Sequence, residues 1–231
     1  MTRTNPICVA LDVADVAKAR ALARALKPYV GMIKVGLEFF YGNGAAGYEA
    51  VAQEGVPIFL DLKLHDIPNT VAQGLASLQK LSPAPAIINV HASGGLEMMQ
   101  RARGAVGPQT KLIAVTVLTS LSNENLWAAG FDQRETDGHA LNLAQLAQQA
   151  GLDGVVCSPL DLALIRASLP RSFLTVVPGI RHADASSDDQ KRIATPKAAL
   201  DAGADILVIG RAITSAADPA QAAKAILESL V

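Results

Sequence analysis

Cysteine is almost missing from this chain: two residues, Cys8 and Cys157, in 231. Each lies inside an apolar run and neither belongs to a C-x-x-C pair, which excludes a disulfide framework or a cysteine-based metal site. Histidine occurs only four times, too scattered for zinc-ligand spacing. Aromatic residues amount to 4%, and 20 Lys+Arg nearly balance 21 Asp+Glu for a formal net charge of -1. That balance leaves no electrostatic footprint for nucleic acid. No apolar run reaches the roughly 18 residues of a membrane span before Gly, Pro or a charge interrupts it. The opening Met-Thr-Arg-Thr-Asn-Pro lacks an apolar leader core, so the expectation is a cytoplasmic protein with neither membrane nor nucleic acid as partner.

What the chain does have is apolar residues, 50% of the total, which excludes disorder. They come as eight short runs, at 7–11, 31–35, 57–62, 86–90, 112–117, 154–157, 173–177 and 205–209. Runs without polar alternation suit strands covered on both faces, as in parallel sheets. Between them, 15–27, 69–81, 95–105, 140–150 and 218–230 carry apolar residues at helical spacing. Asp218-Pro219 adds an N-cap followed by Pro at the first helical position. Such alternation implies parallel strands with crossover helices. No stretch reads as a linker, so residues 1–231 are expected to form one (β/α)8 barrel of the α/β class, a TIM barrel, near the usual length of about 250 residues.

An open doubly wound sheet is the alternative, and the polar residues argue against it. Nearly every run ends in a chemical group: Asp12, Lys34, Asp61 with Lys63, Asn89 with His91, Thr119, Ser158, Arg181, and Gly210-Arg211. A barrel gathers those ends around one mouth, whereas an open sheet concentrates them at one switch point.

Asp61-Leu62-Lys63-Leu64-His65-Asp66 is the densest group. Strand periodicity puts Asp61 and Lys63 on one side and Leu60 and Leu62 on the other. A solvated ion pair is the plain reading of D-x-K, but the fully apolar Ile58-Phe59-Leu60 places these charges at the edge of a core. Lys34 interrupts Met32-Ile33-Lys34-Val35, where a lysine either snorkels or pairs. Set beside Asp61, Lys63 and Asp66, it makes an alternating array of two cations and two anions. Asp12 serves equally well as helix N-cap or ligand contact. Near the C-terminus, Ile209-Gly210-Arg211 leads from a strand into a short helix, a pattern suited to phosphate. Val177-Pro178-Gly179-Ile180-Arg181 supplies a second turn and arginine. Residues 182–192 between them read as a lid or as a surface loop. His91 is either a ligand contact or part of a turn, and Trp127 and Phe131 read as packing residues.

Taken in order, Ala10-Leu11-Asp12, Ile33-Lys34-Val35-Gly36 and Asp61-x-Lys63-x-x-Asp66-Ile67-Pro68-Asn69-Thr70 resemble the orotidine 5'-phosphate decarboxylase family. So do Val115-Thr116-Val117-Leu118-Thr119-Ser120, Val177-Pro178-Gly179-Ile180-Arg181 and Ile209-Gly210-Arg211, and the likeness spans residues 7 to 213. It implies a homodimeric barrel that converts orotidine 5'-monophosphate to UMP and CO2, the last step of de novo pyrimidine synthesis, with no cofactor and no metal. Lys63 would be the proton donor to C6, Asp61 would lie beside the departing carboxylate, and Lys34 and Asp66 would complete the catalytic array. Asp66 and Thr70 would reach the other subunit's site. Asp12 and Lys34 would contact the ribose, Thr119 the pyrimidine, and Arg181, Gln190, Gly210 and Arg211 the phosphate or its lid. Three rivals share features: a Mg2+-dependent sugar-phosphate decarboxylase or synthase, an epimerase-like barrel and a non-catalytic phosphate binder. Lys34, which would repel Mg2+, argues against the first. His65 and His91 alone are a thin metal set for the second, and the intact Lys34, Asp61, Lys63 and Asp66 set argues against the third.

Overall fold

The eight apolar runs pair edge to edge in a closed parallel barrel in the computed structural model, which describes residues 5–132, 135–180 and 194–230. The strands are β1 (Ile7–Ala10), β2 (Met32–Val35), β3 (Ile58–Leu64), β4 (Ile87–His91), β5 (Lys111–Val115), β6 (Gly154–Val156), β7 (Leu174–Val177) and β8 (Ile206–Ile209). They adjoin in sequence order and β8 pairs with β1, Cys8 facing Val208. The open-sheet alternative is thereby excluded. Among the described residues the helices are α1 (Val16–Leu26), α2 (Leu37–Ala52), α3 (Pro68–Leu78), α4 (Gly95–Gly104), α5 (Asn123–Ala128), α6 (Thr136–Gln149), α7 (Leu162–Ser168), α8 (Pro196–Asp201), α9 (Arg211–Thr214) and α10 (Pro219–Glu228).

Local chemistry explains the ends that the sequence marks. Asp15 caps α1 by accepting from the Lys18 N–H at 2.7 Å, and Ala19, Ala23 and Leu26 form its buried stripe. Asp218 caps α10 in the same way through the Gln221 N–H, with Pro219 opening the helix. Periodicity under-reads α2, α5, α7 and α8. In α2 the stripe is diluted by Gly42, Gly44 and Gly47, and Gly44 kinks the helix at φ 58, a left-handed conformation that favours glycine. The other three run only six or seven residues, too short to display a period. Helix α3 stops at Leu78 rather than 81, and α6 begins at Thr136, before the expected 140.

Two apolar layers hold the fold together. Cys8, Ala10, Phe59, Ile87, Ile113, Val176 and Val208 fill the barrel lumen. Their strand neighbours, such as Ile7, Val9, Ile33, Leu60, Ile88 and Val177, point outward and pack under the helices. Strand alternation thus serves both layers. Truncating a residue such as the buried Phe59 to alanine costs about 3–5 kcal/mol. The lumen series also positions the site. Continued toward the strand ends, Ala10 leads to Asp12, Met32 to Lys34, Phe59 to Asp61, Ile87 to Asn89 and Val208 to Gly210.

Candidate active site

At the C-terminal end of the barrel lies a cavity of about 510 Å³. Asp12, Lys34, Asp61, Lys63, Thr119, Gly210 and Arg211 line it, contributed by five different strand ends. Lys34 sits opposite Ala10 and Phe59 in the register, so its Cβ must point into the lumen, and its ammonium meets acids there. Its Nζ is 3.2 Å from Asp61 Oδ2 and 3.4 Å from Asp12 Oδ1. Lys63 Nζ donates to Asp61 Oδ1 at 2.7 Å. The charges therefore alternate Asp12, Lys34, Asp61, Lys63 within one chain. Lys34 is paired rather than snorkelling, and since Asp15 caps α1, Asp12 faces the cavity instead.

Burial alone would raise the Asp61 carboxyl. The charges of Lys34 and Lys63, with hydrogen bonds from Lys63 and Asn89, hold it below the usual carboxylate range. Burial would likewise lower the Lys34 ammonium, but Asp61 and Asp12 hold it above the usual lysine value. Each partner keeps the other ionised in a place where an isolated charge would be costly.

Simple strand alternation does not bring Asp61 and Lys63 together. Leu60 pairs with Ile88 and Leu64 with Val90, so Asp61, Leu62 and Lys63 oppose the single residue Asn89. Strand β3 bulges there, and Lys63 takes φ 53, a left-handed conformation costing a non-glycine residue about 1–3 kcal/mol. The buried Asn89 carries both sides of the irregularity. Its Oδ1 accepts the Lys63 backbone N–H at 2.8 Å and its Nδ2 donates to Asp61 Oδ1 at 2.7 Å. Sequence reasoning set Asn89 on the rim and gave it no role, although the signal, a polar side chain inside an apolar run, was the one that singled out Lys34.

Other expected residues are placed as follows. Gly210 ends β8 at the cavity wall, where an added Cβ would lie 3.7 Å from both Ala10 Cβ and Asp12 Oδ2. Arg211 opens α9 at the same wall, and Pro178 and Gly179 continue it from β7. Asp66 is exposed, its Oδ1 accepting the Ile67 N–H at 2.6 Å, and neither it nor Thr70 on the exposed side of α3 lines the cavity. Ser158 serves a turn, accepting from the Leu160 N–H. His91, 5.5 Å ring to ring from His65, is pushed below the usual histidine value by burial and then by His65 and Lys63. Burial pushes the Cys8 thiol up to about 12. Arg181, Gln190 and the 182–192 stretch lie outside the described residues.

Chemically, the cavity offers a carboxylate flanked by two ammonium groups, together with the backbone of Gly210 and the arginine that follows it. Such a site suits an anionic ligand with a second charge at its reacting end. Among the described residues, no cluster of three or more His, Cys, Asp or Glu is placed to hold a metal ion.

Comparison with known proteins narrows that chemistry. Residues 5–226 match the Orotidine 5'-phosphate decarboxylase / HUMPS family. Over 227 residues the chain is 50% identical to the orotidine 5'-phosphate decarboxylase of Novosphingobium aromaticivorans, covering 98% of this chain and all of that one. It is 47% identical, with the same coverage, to that of Erythrobacter litoralis. The crystal structure of orotidine 5'-phosphate decarboxylase from Lactobacillus acidophilus superposes with a TM-score of 0.85 at 37% identity, covering 98% of this chain and 99% of that one.

Proposed function

Since the chain belongs to the orotidine 5'-phosphate decarboxylase / HUMPS family, we propose how its own residues carry out the decarboxylation of orotidine 5'-monophosphate to UMP and CO2, the closing reaction of pyrimidine nucleotide synthesis. The observation that carries the reading is the Asp12, Lys34, Asp61, Lys63 array in the wall of a cavity that Gly210-Arg211 also line, Gly210 next to Asp12.

Loss of CO2 leaves the electron pair of the broken C–C bond on C6, a vinylic carbon with no conjugated electron sink. Enzymes lower such barriers by about 8–23 kcal/mol. The Lys63 ammonium stabilises the pair as it forms, and then its N–H proton bonds to C6, leaving a neutral amine that solvent reprotonates. Asp61 repels the substrate carboxylate, and that repulsion falls as neutral CO2 departs. Asp12 and Lys34 bind the ribose and Thr119 the pyrimidine. Gly210 and Arg211, together with Arg181 and Gln190, hold the phosphate, whose remote binding energy positions the base.

The same proposal makes the enzyme a homodimer in which Asp66 and Thr70 act in the neighbouring subunit's site. Their exposure outside the cavity of their own chain, beside Ile67 at 66% exposure, supports it. A cytoplasmic setting belongs with it, because substrate and product are charged nucleotides. The Mg2+-dependent synthase branch is disfavoured, because the Lys34 ammonium, 3.2 Å from Asp61 Oδ2, would repel the metal.

The test is the loss of orotidine 5'-monophosphate absorbance with purified protein, with and without EDTA. Rapid conversion unaffected by EDTA is expected. Nucleotide binding without turnover would make the chain a binder, and turnover of sugar phosphates on added Mg2+ would move it to the synthase branch. Mixing Lys63→Ala with Asp66→Ala subunits should restore one working site per heterodimer, and no recovery on mixing would refute the shared site.

A further inference from the structure

We propose that Asn89 is a positioning residue for the decarboxylation: it sets the backbone of Lys63 and the carboxylate of Asp61 through one side-chain amide. Strand β3 has three residues, Asp61, Leu62 and Lys63, where β4 has only Asn89, so regular ladder bonds cannot satisfy that stretch. The amide takes their place, accepting from the Lys63 N–H at 2.8 Å and donating to Asp61 Oδ1 at 2.7 Å. Asn89 is fully buried, which makes both bonds expensive to lose. A left-handed lysine persists only where its surroundings over-determine it, and the Asn89 acceptor is the side-chain contact that does so. Asp61 Oδ1 thereby has two donors in fixed directions, Lys63 Nζ and Asn89 Nδ2, while Oδ2 faces Lys34.

Neither aspartate nor an aliphatic residue reproduces the amide. Asparagine alone of the three offers an acceptor for the lysine backbone and a donor for the carboxylate in one planar group. Asn89→Leu removes both bonds while keeping the number and branching of the side-chain heavy atoms. Asn89→Asp keeps the acceptor but sets a second carboxylate against Asp61, whose other charged or titratable neighbours are Cys8 from β1, Lys34 from β2, Lys63 from β3 and His91 from β4. Like charge disfavours ionisation, so the acid limb of the pH profile should move toward neutrality.

The inference rests on the decarboxylase reading, which wild-type turnover tests separately: no turnover by wild-type protein sinks that reading, whereas a normal Asn89 variant sinks only this one. UMP lacks the C6 carboxylate, so its affinity reports binding apart from the reacting centre. Asn89→Leu is expected to lower kcat on the order of 10²-fold, as small misplacements of reacting groups do, with UMP affinity changed less than threefold. Asn89→Asp is expected to recover part of kcat at pH 8 and to lose it toward pH 6. A structural role alone would lower the melting temperature and leave kcat per folded site unchanged, and that result overturns the proposal. Should Asn89→Leu fail to fold, an Asn89→Asp profile matching wild type in kcat and pH dependence overturns it as well.

Discussion

Both ends of the barrel carry charges at the margin of an apolar core, and the two are built differently. At the N-terminal end, Arg166 donates to the carbonyls of Gly203 at 2.9 Å and Phe173 at 2.8 Å, to the Thr175 hydroxyl and to Asp205. Asp205 also accepts the Thr175 backbone N–H, and nearby Asp153 takes Arg103, Lys111 and the Leu112 N–H. There the charged groups bond to backbone and lock strand starts to helix ends. At the C-terminal end, the cations Lys34 and Lys63 converge on Asp61, and all three line an open cavity. Size does not mark the charged array: the larger of the two cavities, about 850 Å³, opens at the N-terminal end, where Asp205 and Arg171 join apolar side chains such as Met32, Leu174 and Leu227. What separates the ends is that the charges at the N-terminal end also bond backbone groups, whereas Lys34 and Lys63 direct their ammonium groups at carboxylates beside the cavity.

The comparison breaks most visibly at Lys63. Lys63→Ala should lower kcat by about 10⁴-fold or more, since it removes proton donor and carbanion stabilisation together, while UMP still binds measurably in calorimetry. Retention of most activity would remove Lys63 from the role of donor. In the same cavity, Arg211→Ala should weaken UMP by about 10–100-fold through loss of a charge-assisted bond, and leave uridine, which lacks phosphate, unaffected. Parallel losses for both ligands in a binding titration would reassign Arg211 to structure.

Asp205→Ala probes the other end. It should cost about 2 kcal/mol in denaturant unfolding by removing the carboxylate that Arg166 and the Thr175 N–H share, with kcat per folded molecule unchanged. A fall in kcat without a fall in stability would contradict the division between the two ends.

The smallest effect expected is that of pH on the array. Asp61 is depressed on folding, so its contribution to stability is full above the ordinary carboxylate range and is lost as pH falls through its folded value. Lys34 is raised, so its contribution is full below the ordinary lysine range and is lost as pH rises through its folded value. Both windows include neutrality. Neither group should therefore give a limb in kcat between about pH 5 and 9, and a limb that disappears in Lys34→Met or Asp61→Asn would show the pairing to be weaker than the distances indicate.

Much of the molecule was legible along the chain because burial on both faces writes itself as unbroken apolar runs. All eight strands and the five helices with a full stripe or cap were found that way, as were Lys34 and Asp61, which stand out as charges against apolar neighbours. Helix α2 was missed because three glycines erase its period, and α5, α7 and α8 because six or seven residues are too few to show one. The placement of Lys63 was half legible. Its neighbourhood with Asp61 follows from the motif, but alternation assigned it a regular strand conformation, whereas the bulge against Asn89 delivers it from φ 53.

Composition and spacing by themselves determined the fold class and candidates such as Lys34, Asp61 and Arg211, because hydrophobic periodicity and isolated charges are local properties. Thr70 and the role of Gln190 came only with the family resemblance. Only the tertiary structure decided which charges meet. It paired Lys34 with Asp12 as well as Asp61, left Asp66 outside the cavity of its own chain, and made Asn89 the hinge between β3 and β4. Those outcomes depend on strand register and barrel closure, which bring together residues 22 to 28 positions apart, and no local pattern in the sequence encodes a register.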